Sequence, residues 1–372
     1  VIVETGKTGS ISEFRQLINS VSRNSQVKSI LVLACDGNDW APEVIAAITR
    51  TVSKPIFGGI FPGIISGEET LLQGTIVAGF FEDADVQVVS DLSNPDKNYE
   101  AAIEDVSLSM EIKTVFVFVD AMSQRITAFV DSLFNVFGLD FNYIGGGAGS
   151  LSFKQNPCLL INDGLIGDSA ILVKLGMESG IGVSHGWYDV EGPYKVTESF
   201  GTTIRTLDWK PALEVYQEIV ARHSGLVVDR TNFFEIAKSY PFGINKLGAE
   251  KIVRDPVMTG ENGTLVCVGE VPAESHVHIL TGDERSLVDA ARMALNRSEN
   301  SYHGKTNNKT ILFIDCISRA LFLGKNISRE LAAVYHETCP LIGALTIGEV
   351  ANNGKDYLEF YNKTAVVGVL EG

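Results

Sequence analysis

Apolar and polar positions follow two periods along this chain, and the periods recur in a fixed order. Residues 10–23 place Ile11, Phe14, Leu17, Ile18 and Val21 on one helical face behind Ser10, which predicts a capped amphipathic helix. Ser29–Cys35 is continuously apolar and of strand length, the pattern of a strand covered on both faces. Residues 41–52 read as a second helix. The glycines at 58 and 59 open a Gly/Pro-rich loop reaching Gly67, and strands are expected at 75–81 and 86–89.

The order then returns. A buried strand at 114–119 precedes a helix at 123–137 with Ile126, Phe129, Val130, Leu133 and Phe134 on one face. Gly145-Gly146-Gly147 matches the earlier glycine pair, and Ser169–Leu175 is the outgoing strand. A third copy comprises a strand at 310–314, a helix at 328–337, Gly343, and a strand at 364–370. Gly58, Gly145 and Gly343 follow Ile30, Val115 and Ile311 by 28, 30 and 32 residues. One β-α-β-loop-β unit therefore recurs three times. Its unequal spacing argues against a solenoid and for an α/β fold with mixed sheets.

Different material separates the second and third copies. Helices are expected at 209–223, with Pro211 in the first turn, and at 231–240. A turn is expected at 241–243, a β-pair at 264–271 and 275–281, and a helix capped by Asp283. The sharpest break in pattern lies near 200–208, so the expected domains are residues 1–205 and 206–372.

The 372 residues suit about two domains. The net charge of −16 opposes nucleic acid and anionic membrane surfaces. No apolar run approaches the roughly 20 residues of a membrane span, and no signal peptide is visible. The five cysteines are scattered, without a CxxC, and several sit in apolar runs, as buried thiols in a reducing cytoplasm would. Sequons at Asn296, Asn326 and Asn362 fit chance occurrence.

Residues 182–209 hold His185, Trp187 and Trp209 between glycines and form the seam between the halves. His185 is a candidate ligand contact or haem ligand, or else a satisfied histidine anchoring the seam. Gly58, Gly59, Gly145 and Gly146 could cradle an anion with backbone N–H groups, but close packing of strands is the favoured reading. Arg319 could clamp a carboxylate, or pair with an internal acid such as Glu349 or Asp315. Cys316 is the one nucleophile worth testing, without a visible base. His276 and His278 read as a strand pair on one face rather than half a metal site. Asp36, Asp120 and Asp315 each close a first strand, where capping is the simplest task, and Asp208 is expected to cap the following helix.

The stretch 182–209, the segment FIDCISR at 313–319, PLIGALTIGE at 340–349 and NKTAVVGV at 362–369 together resemble the FIST proteins. The glycine-rich GGIFPG at 58–63 and GGGAG at 145–149 are similar to their N-terminal domain. The resemblance runs from about residue 29 to the end. Ser318 stands where Gly is more usual before the Arg. It implies a bacterial or archaeal sensory module that binds a small ligand, an amino acid or small carboxylate, and signals to a partner such as a histidine kinase or cyclase in trans. The expected site is an interdomain crevice with His185, Trp187, Arg205, Arg319, Glu349, Cys316 and the glycines as its lining. No cofactor or metal is expected. The alternative is a haem-based nitric oxide sensor, and a third reading is an enzyme using Cys316.

Overall fold

The structure, a computed structural model, describes residues 1–38, 40–104, 111–246, 250–306, 308–352 and 358–372. The fold is α/β with mixed sheets, and its repeating unit is longer than the expected one by a strand and a helix at the front. The first unit runs Ile2–Gly6, helix Ile11–Arg23, Ser29–Cys35, helix Pro42–Thr49, Ile56–Phe61, the pair Gly63–Ser66 and Glu69–Leu71, then Thr75–Phe80. The second runs Ala84–Ser90, helix Tyr99–Glu104, Thr114–Asp120, helix Ile126–Phe137, Asn142–Ala148, the pair Leu159–Ile161 and Gly164–Ile166, then Ser169–Leu175. The third starts at Ser179–Ser184 and resumes at helix Glu284–Ser301. It continues through Lys309–Cys316, helices Ile317–Leu323 and Ile327–Val334, Leu341–Thr346, the pair Glu349–Ala351 and Glu359–Tyr361, and Ala365–Glu371.

Strand register confirms the repeat residue by residue. Val32 stands opposite Gly58, Val117 opposite Gly145, and Phe313 opposite Gly343, each across a parallel pair. At all three glycines an added Cβ would lie 1.9 Å from the neighbouring strand's carbonyl oxygen. The glycine thus recurs because two backbones approach too closely for any side chain. The segments 58–63 and 145–149 are accordingly strands for most of their length rather than turns. The same register corrects the carboxylate pattern. Cys35, Asp120 and Cys316 are equivalent, opposite Phe61, Ala148 and Thr346, whereas Asp36 and Asp315 are each one residue out of step.

The units exchange hairpins. The pair Gly63–Ser66 and Glu69–Leu71 of the first unit extends the third unit's sheet, through Leu345↔Gly63. The second unit's Leu159–Ile161 and Gly164–Ile166 extend the first sheet, and the third unit's Glu349–Ala351 and Glu359–Tyr361 extend the second. Among the described residues each of these three sheets has six strands, and the exchange closes in a ring of three. Two of these sheets draw strands from both sides of residue 205, so the halves of the chain interleave.

Alternation along the strands sorts the core into layers. Leu31, Leu33, Phe116, Phe118, Leu312 and Ile314 face one shared core of all three sheets. Ile30 and Val32 face the helices through Phe14, Ile18, Ile45 and Ile48. Phe57–Phe116, Phe80–Phe116 and Phe61–Phe118 lock the first sheet to the second with centroids 5.7, 5.8 and 5.9 Å apart. Such aromatic pairs contribute about 0.5–1.5 kcal/mol each beyond burial.

The different material is an insertion between the third unit's first strand and its first helix. The long strand Tyr188–Phe200 pairs on one side with His276–Thr281 and on the other with Thr203–Leu207. The order between them runs through Phe242–Ile244, Ile252–Thr259 and Leu265–Val268, so the antiparallel sheet closes on itself. Helix Ala212–Ser224 packs Tyr216 and Ile219 into its core with Phe233, Phe242 and Ile279. Three local expectations change here. Residues 241–243 belong to a strand rather than a turn, because Gly243 pairs with both Val253 and His278. Leu265–Val268 and His276–Thr281 do not pair with each other, since other strands lie between them. Asp208 adopts a left-handed φ of 47° and accepts from the Lys195 N–H at 3.0 Å instead of capping the helix. Asp283 does cap its helix, in a reciprocal box with Ser286. The expected boundary at 205/206 lies within the strand Thr203–Leu207.

Candidate functional site

At the carboxyl end of the third unit's parallel pair the chain turns from Cys316 into a short helix, and from Thr346 through Gly348 into Glu349. Carboxyl ends of parallel strands are where α/β folds place their ligand sites, since the loops there diverge. Here they leave a crevice of about 390 Å³, counting its open mouth. The three-unit body contributes Cys316, Ser318, Ile347 and Asn362, and the second unit's loop adds Leu151 and Phe153. The insertion closes the other side with Asp255, Val257, Val268 and Phe234.

The floor carries buried polar groups. Asn362 is 1% exposed, and neither its Oδ1 nor its Nδ2 has a hydrogen-bond partner. Gly348, at φ 84°, makes room for it: a Cβ there would lie 3.1 Å from Nδ2 and collide with the Phe360 ring. Asp255 sits in the strand Ile252–Thr259, where Oδ2 accepts from Ser318 at 2.6 Å and lies 3.2 Å from the Lys363 Nζ, while Oδ1 is buried and unpaired. Lys363 is wholly buried. Its ammonium also donates to the Lys238 carbonyl at 2.8 Å and lies 5.0 Å from the Trp187 ring centre. Burial pushes the Asp255 carboxyl above the usual range, and Lys363 partly offsets this.

Beneath Cys316 lies Glu349. Burial pushes its carboxyl up to about 8, against the hydrogen bonds it accepts from Cys316, Thr346 and the Thr364 N–H. Burial also pushes the Cys316 thiol well up, Glu349 adds to the effect, and Lys363 opposes it. A thiol held protonated is a poor nucleophile.

Arg319 is spent internally. Its Nε donates to Asp315 at 2.9 Å, Nη1 to the His185 carbonyl at 2.6 Å, and Nη2 to the Leu287 carbonyl at 3.0 Å and to Glu330. It ties the strand end to three helices and to the seam. His185 lies beside it, its side chain 12% exposed. Its Nδ1 accepts from the Trp187 N–H at 2.9 Å, and Nε2 lies 3.9 Å from Glu250. Burial lowers its pKa, with Glu250 opposing, so the ring is neutral at pH 7. Trp187 donates to the Lys363 carbonyl at 3.0 Å and packs edge-on to Phe322. It therefore touches the site through Lys363.

Among the expected residues, then, Cys316 lines the crevice and Glu349 and Trp187 support it from behind. Arg319 and His185 sit together at the seam. Gly58 and Gly145 pack on carbonyls, Gly59 on Ala148 and Cys158, and Gly146 on Gly348 and Thr346. Arg205 is exposed and paired with Glu198 at 2.8 Å. Among the described residues no group of three or more His, Cys, Asp or Glu is arranged to hold a metal ion. His278 lies 3.4 Å from Asp189.

The FIST N domain family model matches residues 29–210, and the FIST C domain family model matches residues 212–352. The chain belongs to the FIST family. FIST domains are a sensory signal-transduction family. A comparison with curated proteins finds no match. No described helix is long and apolar enough to cross a membrane. The part of this FIST protein that sequence reading passed over is Asp255, Ser318, Asn362 and Lys363. Two signals pointed there. Arg254-Asp255 interrupts an otherwise apolar strand, and Asn362-Lys363 precedes an apolar strand with a polar pair that the fold must bury.

Proposed function

We propose that this FIST protein is a non-enzymatic small-ligand sensor that holds its ligand in the crevice between the three-unit body and the inserted sheet. The observation that carries the reading is Asn362, a buried amide with both polar atoms unpaired on the crevice floor. Buried amides in folded proteins are almost always hydrogen-bonded. Each orphaned group costs about 1–3 kcal/mol, which a bound molecule can recover. The protonated thiol of Cys316 supports binding over catalysis.

Ligand contacts on both sides of the crevice would favour one placement of the insertion on the body. Such differential affinity is the physical requirement for a signal. The receiver in this reading is a partner protein in trans, a histidine kinase or cyclase. Neither His185 nitrogen lines the crevice, and no observation favours haem there. The test is a thermal-shift screen of small metabolites on the native protein and on Val257→Phe, which fills the crevice from the insertion side. At 100 times Kd a ligand raises stability by about 2.7 kcal/mol. Compounds that raise the Tm of the native protein and not of the variant support the reading. A screen in which every response survives Val257→Phe sinks it.

A further inference from the structure

We infer that the ligand of this crevice is a compact apolar molecule carrying a neutral carboxamide-like head, one that offers at least two N–H donors and one acceptor, and not a carboxylate. This rests on the reading of the crevice as a ligand site. The head group follows from the unpaired atoms of the floor. Asn362 Oδ1 and Asp255 Oδ1 are both buried acceptors without a donor, and Asn362 Nδ2 is a buried donor without an acceptor. Two donors and one acceptor are what a primary amide presents, and an amide meets an amide in a paired, bidentate arrangement.

Charge decides against the anion. The described residues that line the crevice include no Arg, Lys or His. Among the described residues, the Lys363 ammonium is already 3.2 Å from Asp255 Oδ2 and donates to the Lys238 carbonyl. Arg319 is bound to Asp315, Glu330 and two carbonyls. A ligand carboxylate would face the buried Asp255 oxygen with no free cation among the described residues to meet it, and burying an unpaired charge costs far more than burying an amide. The rest of the molecule is apolar by the same reasoning, since Leu151, Phe153, Val257, Val268 and Ile347 form the walls.

Matched probes test this on the full chain by calorimetry and thermal shift: benzamide and isovaleramide against benzoate and isovalerate. The amides are expected to bind at least about tenfold more tightly than the acids, a difference of about 1.4 kcal/mol. Asn362→Leu should abolish the amide response while leaving the unliganded Tm unchanged or raised, because it removes two unpaired polar atoms. A fall in that Tm would show a merely structural asparagine and overturn the assignment. Acids that bind as well as the amides, with a response lost in Val257→Phe, overturn the head group and leave the crevice standing as a ligand site. Responses that survive Val257→Phe, or no response from any probe, bring down the crevice reading and the inference together.

Discussion

Glu349 shows how burial turns an ordinary residue into a reporter. Its carboxyl is raised from 4.5 to about 8, with burial as the first cause. The folded protein therefore keeps a proton that the unfolded chain has lost between these values. Its contribution to stability is complete below pH 4.5 and falls as pH rises through 8. Buried Asp315 and Asp255 are raised too and act in the same sense. Glu349→Gln, which keeps a neutral group in place, should flatten the fall in stability between pH 5 and 8, read from urea midpoints at each pH. An unchanged slope would show that this carboxyl is ionised in the folded state. Arg319 is the opposite case, a charge whose partners are buried with it. Arg319→Met leaves Asp315 and Glu330 without a counter-ion, and such a loss costs about 3–5 kcal/mol. Denaturant unfolding of the variant measures it. A cost below about 1 kcal/mol would mean that the cluster balances itself by protonation.

At the scale of elements, the same small feature is used three times. Gly58, Gly145 and Gly343 each let the second parallel strand lie on the carbonyl of the first. Gly145→Ala and Gly343→Ala are each expected to cost about 1–3 kcal/mol or more, as overpacking does, and to cost similar amounts because their surroundings are equivalent. Thermal unfolding of the two variants checks this, and a tolerated alanine at either site would break the equivalence. The helices and first strands were legible because amphipathic period and apolar runs are local properties. Helix Ile11–Arg23 behind Ser10 and strand Ser29–Cys35 stand where the pattern puts them. The hairpins were not legible. Gly63–Ser66 is four residues of strand whose partner, Leu341–Thr346, lies far along the chain, and no local period can encode so distant a pairing.

Over the whole molecule, hairpin exchange joins three sheets into one body, and the insertion leans on the carboxyl end of the third. The crevice forms only where these meet. Its residues are spread from Leu151 to Asn362, which is why reading along the chain gathered the seam around His185 instead. Of the residues singled out in sequence, Cys316 reached the lining because it ends a strand, and strand ends are local. Asp255 and Asn362 came to line one crevice only through the packing of the insertion against the body. The sequence by itself determined the family, the three-fold recurrence and the α/β class, since each rests on motifs and periods carried by contiguous residues. The tertiary structure alone decided that the recurring units trade hairpins, that Arg319 is spent on internal acids, and that an unpaired amide lies on the floor of a crevice. Burial and partnership are properties of what the folded chain brings close, and those neighbours are distant in sequence.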